Sequence, residues 1–336
     1  MLYKIKRLEA EDLLEFEERG HTVFTTCMWL RFLERDQHIE PVVLALLRDG
    51  QTDAVFTGGV IQKAGIRILG SPFEGWLTPD MGFIRLGDMD VNEALRAVKR
   101  YAFRELRCWF VQICDKSIRP QDLEADIRYT VSSMLFLDIT QEAEQILSGF
   151  TKNGRRDVRA SGRKGLQVEQ VPFDRGFAER YYAQLEDVFD KQGSKPFYSL
   201  EKMYHLVDAS QAFPERVLAL EARTPDGDCA ATVFSFGYRN WGYYMGAASF
   251  REFQKYLPNE ALFWAFVRHW NERHIPCLDL VGYREYKMKY APELIDVPMV
   301  YFERVPGLLY MKEKARSTVM LLRKLRRSKK QAKEEN

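Results

Sequence analysis

The chain has 336 residues, 46% of them hydrophobic, and a formal net charge of +2. That length suits two domains of ordinary size with real cores, and so small a net charge supplies no field that would draw the whole chain to DNA. The N-terminus MLYKIKRLEAEDLLEF lacks the apolar core of a signal peptide, and no apolar run reaches the roughly 18 residues that cross a bilayer, so the expected location is the cytoplasm. Five cysteines (Cys27, Cys108, Cys114, Cys229, Cys277) are scattered without Cys-x-x-Cys spacing, and the five histidines show no ligand spacing. Neither a disulfide framework nor a metal site is expected.

Residues 42–48, 54–62 and 66–70 read as a meander of three strands, with Asp49-Gly50 at the first turn. An amphipathic helix over 91–106 and a short apolar strand over 109–114 follow, then a strand over 131–138 and one long connecting helix over 141–164. The pattern then recurs. Strands at 217–223, 229–237 and 241–246, turned at Pro225-Asp226-Gly227, are followed by a helix over 258–273 and an apolar strand over 277–281. Two copies of one αβ unit are therefore expected, over 1–140 and 141–306. From 312 to 333 there are ten Lys/Arg and one acidic residue, with Leu and Met interspersed. That composition predicts a basic amphipathic helix and tail over 307–336, suited to an anionic membrane surface or to tRNA.

Residues 243–293 hold the densest set of motifs: the strand end Met245-Gly-Ala-Ala-Ser249, Pro258-Asn259 opening a helix, Asp279-Leu-Val-Gly282 closing a strand, and the turn Tyr286-Lys-Met-Lys-Tyr-Ala291. This order resembles the Fem family, the peptidoglycan-bridge aminoacyltransferases and the FemAB-like acyltransferases of envelope polysaccharide synthesis. Upstream, the basic stretch 152–165 (KNGRRDVRASGRKG) and the stretch 24–34 (FTTCMWLRFLE) resemble the family's basic helix and entry helix. The sequence departs from the family at Val281 and Ala291, where glycines are usual. The resemblance implies an α/β (α+β) fold of two tandem GNAT-like domains, the acyl-CoA N-acyltransferase fold.

Acyl transfer to an amine needs a neutral amine, a nearby donor carbonyl and stabilisation of the oxyanion, but no nucleophilic residue or metal. The absence of a GxSxG motif or P-loop agrees with that chemistry. Lys287, just beyond a strand end, is the leading catalytic candidate, since the family's turn lysine lies at the reaction centre. Its bland reading is a surface lysine paired with Glu285 or Glu293. Asp115, at the end of strand 109–114, or Asp279 is the candidate base. Either aspartate has a structural alternative, as a turn cap or as a partner for backbone N–H groups. The resemblance implies that Arg31 holds the diphosphate of an acceptor, and Arg155, Arg159 and Arg163 recur at four-residue spacing as one basic stripe beside it. Tyr198 lies in a loop, between helices, that resembles an acceptor-lining segment, and of Tyr243 and Tyr244 only one can face a cleft. Pro258 and Asn259 open the helix whose first-turn N–H groups form a seat for donor phosphates, although Glu260 opposes an anion there. The usual acyl-CoA signature is replaced by Gln254-Lys-Tyr-Leu-Pro-Asn259. The expected reaction is N-acylation, from acyl-CoA, of an amine on a nucleotide- or lipid-linked envelope precursor at the inner face of the membrane. Aminoacyl-tRNA is the alternative donor, and a non-catalytic phospho-sugar-binding module is the alternative role.

Overall fold

The structure is a computed structural model that describes residues 3–63, 65–190 and 193–307. The expected basic helix over 312–333 lies outside the described residues. β-Branched and aromatic runs form the first meander: β1 (Lys4–Leu8), β2 (Glu40–Arg48), β3 (Gln51–Lys63) and β4 (Ile66–Ser71), with α1 (Cys27–Gln37) before β2. A short β5 (Gly82–Arg85) pairs with β3. Helix α2 (Val91–Arg104), capped by Asp90, crosses over to β6 (Phe110–Cys114), which runs parallel to β4. The second unit repeats this plan with β8 (Gln167–Gln170), β9 (Val217–Arg223), β10 (Cys229–Tyr238) and β11 (Trp241–Ser249), then α7 (Pro258–Glu272) and the parallel strand β12 (Cys277–Asp279).

With β7 (Tyr129–Asp138) and β13 (Glu293–Glu303), the described strands join in one sheet ordered β1-β2-β3-β4-β6-β13-β7-β12-β11-β10-β9-β8, with β5 off the path. The two central strands are exchanged. β7 (Tyr129–Asp138), which follows the first repeat, pairs with β12 of the second. β13 (Glu293–Glu303), which follows the second, pairs with β6 of the first. Each half of the sheet is thus completed by a strand from the other segment.

The single connecting helix expected over 141–164 is two helices, α3 (Ala143–Gly149) and α4 (Lys152–Ser161). Phe150 adopts extended backbone and buries its ring against Phe263, Trp264 and Tyr290. Thr151 then caps α4 by accepting from the Gly154 N–H at 3.2 Å. Burial of one aromatic ring and a new cap outweigh helix continuity here. Helices α5 (Arg175–Asp190) and α6 (Leu200–Ser210) join α1 in the apolar cluster that unites the two halves, through Phe24, Trp29, Phe32, Phe177, Tyr181 and Phe234. Helix α2 covers the first half, and α7 with α4 covers the second.

Candidate active site

In the second unit the parallel pair opens. β11 and β12 are in register only at Trp241–Cys277, Gly242–Leu278 and Tyr243–Asp279, after which β12 ends while β11 continues to Ser249. The strands part at a β-bulge: Phe234 pairs with Gly246 and Phe236 with Tyr243, so Tyr244 and Met245 oppose the single residue Ser235. A bulge takes backbone groups out of the ladder and re-aims side chains, which is why bulges collect beside active sites. Ser235 is itself anchored, accepting from the Trp270 indole at 2.8 Å. α7 lies close enough that a Cβ at Gly237 would stand 2.3 Å from the Trp270 ring.

Two adjoining cavities occupy the opening. The larger, about 660 Å³, is lined by Tyr181, Tyr198, Tyr244 to Ala247 and Val281 to Arg284, with Tyr286 and Lys287. The smaller, about 400 Å³, lies at the start of α7 against Ser249, Asn259, Glu260, Lys289 and Tyr290. Val188, Tyr244, Ala247 and Tyr286 line both. At the α7 N-terminus Leu257 is left-handed (φ 59°), Pro258 opens the helix, and no side chain caps it. Asn259 Nδ2 donates to Ser249 Oγ at 3.0 Å. Glu260, which would repel an anion, is neutralised by Lys289 at 2.5 Å. Lys289 thereby gains a role that its place on the turn did not suggest.

Tyr244, not Tyr243, faces the cleft. Its ring packs on Phe263 and Phe266 at 5.4 and 5.1 Å, and burial holds its hydroxyl well above the ordinary pKa, hence protonated at neutral pH. Tyr243 points the other way, is fully buried and hydrogen-bonds Thr22 Oγ1 at 2.6 Å, so its expected substrate contact is corrected. Tyr198 lines the larger cavity with its hydroxyl 2.5 Å from that of Tyr181.

Lys287 is neither a surface lysine nor a free cation. Its ammonium donates to the carbonyls of Leu280 (2.5 Å), Val281 (2.8 Å) and Gly282 (3.1 Å), where Val281 and Gly282 are both left-handed, at φ 45° and 74°. Burial pushes its pKa down to about 8, so it is charged at neutral pH. All three protons of the ammonium are engaged, which corrects its expected role as a donor to the reaction oxyanion.

Neither candidate base reaches the cavities. Asp115 is buried, accepting from the N–H groups of Phe83 and Ser117 at 2.8 Å each. Asp279 accepts from the Val281 N–H at 2.8 Å and pairs with Lys116 at 3.0 Å. A carboxylate so enclosed cannot take a proton from a solute in the cleft, so both are structural. Lys116 also pairs with Asp80 at 3.1 Å and lies 4.0 Å from the Trp241 ring centroid and 4.3 Å from that of Tyr243. Burial pushes Asp80 up to about 7, against the pull of Lys116. This buried triad escaped sequence reading because a lysine beside an aspartate in a loop looks like solvated charge.

Arg31 is exposed and paired with Glu11 and, at 3.0 Å, with Glu34. It lines neither cavity of the cleft, so its expected diphosphate contact is corrected. The basic stripe divides. Arg155 holds the carbonyls of Ser148, at 2.9 Å, and Phe150, Arg159 is exposed on α4, and Arg163 lies beyond its end. α4 packs on α7, and the neighbouring Lys164 reaches the carbonyl of Lys255, three residues before α7 begins. The stripe thus lies on the helix that packs against α7, but none of its three arginines lines either cavity.

Residues 152–288 match the family model "Acetyltransferase (GNAT) domain". Among solved structures, that of FemX superposes with a TM-score of 0.69 at 12% identity, covering 92% of this chain and 99% of the other. The structure of L-PGS from Bacillus licheniformis gives 0.57 at 16% identity, covering 93% and 97%. A tandem GNAT protein from the clavulanic acid biosynthesis pathway gives 0.52 at 10%, covering 90% and 99%. No curated protein matches the chain by sequence. The matched domain and these neighbours support an acyltransferase, and the chain has the GNAT fold. Within that class the chain has the tandem architecture, two such units in one polypeptide, in the form resembled by FemX. Among the described residues no group of acidic, His and Cys side chains could hold a metal, and no helix is long and apolar enough to cross a membrane.

Proposed function

We propose that the protein transfers an acyl group from acyl-CoA to an amine of a nucleotide- or lipid-linked cell-envelope precursor, by direct attack in the cleft of the second unit. The observation that carries this reading is the bulged, opened strand beside an uncapped helix N-terminus. Phosphates of the donor fit the smaller cavity, where the first-turn N–H groups of α7 and Asn259 offer an anion-compatible seat, and the exposed Arg159 and Arg163, on or just beyond the neighbouring helix α4, supply positive charge to the part of the donor that extends out of it. This gives the stripe to the donor rather than to the acceptor. The thioester carbonyl then lies at Tyr244–Gly246, where backbone N–H groups released by the bulge stabilise the oxyanion. The amine nitrogen attacks the carbonyl carbon, the tetrahedral intermediate expels the thiolate, and the Tyr244 hydroxyl supplies the proton that the sulfur takes up. The amine's proton passes to solvent, and the Tyr244 phenolate regains a proton from solvent to close the cycle. Lys287 acts by shaping Leu280–Gly282, the opposite wall. An envelope acceptor is supported by the tandem architecture and by a structural neighbour whose name, a putative lysylphosphatidylglycerol synthetase, refers to an aminoacylated lipid. We also propose 1–140 and 141–306 as the two repeat segments.

Calorimetric titration with CoA, acyl-CoA and an aminoacyl-tRNA, for wild type and the double variant Arg159→Ser/Arg163→Ser, tests the donor. The expected result is CoA binding that weakens with salt and in the variant. Tight binding of aminoacyl-tRNA with none of CoA would replace the donor, and binding of neither would discard the donor seat.

A further inference from the structure

The larger cavity is unlike a seat for a sugar phosphate. Its walls are carbon: Leu77, Leu185, Val188, Phe189 and Met245, with aromatic rings between them. The polar heads that reach it from Tyr181 and Tyr198 are paired with each other at 2.5 Å, and the Lys287 ammonium is turned onto three backbone carbonyls. At its mouth stand Phe197, Tyr283 and Tyr286, which are 80%, 53% and 55% exposed. Large apolar groups gathered around one opening mark a surface that a ligand covers. The two cavities share Val188, Tyr244, Ala247 and Tyr286, so a chain attached to a carbonyl at the bulge runs directly from the donor seat into this space.

We propose that the 660 Å³ cavity receives the hydrocarbon chain of the donor's acyl group, which makes the protein selective for medium- or long-chain acyl donors over acetyl. The inference rests on the acyl-transfer reading and names its donor class. The acceptor amine enters by the same mouth, past Arg284 and the exposed aromatic rings.

Binding of CoA, acetyl-CoA, hexanoyl-CoA and decanoyl-CoA, measured by calorimetry without acceptor, is the test. Full burial strengthens binding about four-fold for each added methylene. Phe197→Ser, at an exposed position that the fold does not need, is expected to reduce the gain per methylene, and Val188→Trp to shorten the chain length at which the gain stops. Equal affinity across the series would overturn the inference, as would a chain-length gain that ignores Val188→Trp. Val188-dependent binding of phosphatidylglycerol vesicles, with no chain-length gain among the thioesters, would give the cavity to a lipid acceptor and overturn it too. Equal kcat/KM for acetyl and decanoyl transfer sinks the chain site but leaves acyl transfer standing. Graded binding without transfer to any amine does the reverse.

Discussion

Replacing Lys287 with methionine removes a charge while keeping much of the side chain's volume. Ammonium-to-carbonyl hydrogen bonds contribute about 1.5–3 kcal/mol each, and Lys287 makes three. Against them stands the burial that lowers its pKa from 10.5 to about 8, worth about 3 kcal/mol at roughly 1.4 kcal/mol per unit. The balance, on the order of 1.5–6 kcal/mol, acts on the left-handed bend at Val281 and Gly282, and so on one wall of the cleft. A displacement of about 1 Å there lowers kcat/KM about 100-fold. The lysine is charged below pH 8 and loses its proton above it, so wild-type activity is expected to fall as pH rises through about 8. Lys287→Arg keeps its charge at every such pH. It should therefore lose that alkaline limb, at a lower rate overall because a planar fork cannot gather three carbonyls onto one point. Amide hydrogen exchange of the substrate-free protein separates positioning from direct catalysis: in Lys287→Met the amides of Val281 to Arg284 should exchange faster. A 100-fold slower enzyme with unchanged exchange at those amides would refute the clamp and return Lys287 to the oxyanion.

Two further outcomes follow from the same geometry. Tyr244→Phe is expected to lower kcat by about 10²–10⁴-fold, the usual contribution of a positioned acid, with little change in donor KM, and the loss should shrink with a donor whose leaving group needs no proton; an equal loss with such a donor would remove Tyr244 from the proton transfer. Lys116→Met leaves Asp80 and Asp279 buried without their cation and should destabilise the fold by about 3–5 kcal/mol at pH 8 in urea unfolding. Asp80 is raised from 3.8 to about 7 in the folded state, so its contribution to stability is fully present below pH 4 and lost as pH rises through 7. The variant's deficit should therefore narrow at pH 5, and an unchanged urea midpoint at both values would show that the triad is not structural.

The tandem αβ plan was legible because alternation and turn chemistry are local: the meanders, the crossover helices α2 and α7, and the motifs of 243–293 all announce themselves within short windows. Tyr244 was legible only as one of a pair, since strand alternation shows that neighbours diverge but not which one meets the cleft. The bulge that decides it depends on β10, and its residues Ser235, Tyr244 and Met245 carry no signal of their own. Asp115 looked catalytic because strand ends of open αβ units place reactive groups, and Asp279, a carboxylate within an apolar strand, was the alternative base. Their burial depends on Lys116, Phe83 and Val281, contacts that no spacing rule reveals. Arg31 and Arg155 show the same limit, since both have the right charge in a familiar motif while their partners, Glu11 and two carbonyls of the α3–α4 junction, become visible only after folding.

The exchange of β7 and β13 was beyond sequence reading for a different reason, and it bears on how the site is held. Each strand follows its own repeat in the chain yet pairs across the centre, β7 with β12 and β13 with β6. Sequential elements usually lie beside one another, so strand prediction alone places both in the wrong half. Because β12 is only three residues long and ends at the mouth of the cleft, its far edge must be fixed by something, and that is β7, joined at Asp138, Leu137 and Phe136. The Leu280 N–H extends the contact, donating to the Leu135 carbonyl at 2.9 Å, directly before the bend that Lys287 holds. One wall of the cleft in the second unit is therefore braced by a strand that belongs to the first segment. The first unit thus supports the cleft of the second in two ways, bracing one wall through β7 and lending Leu77 to the lining of the larger cavity.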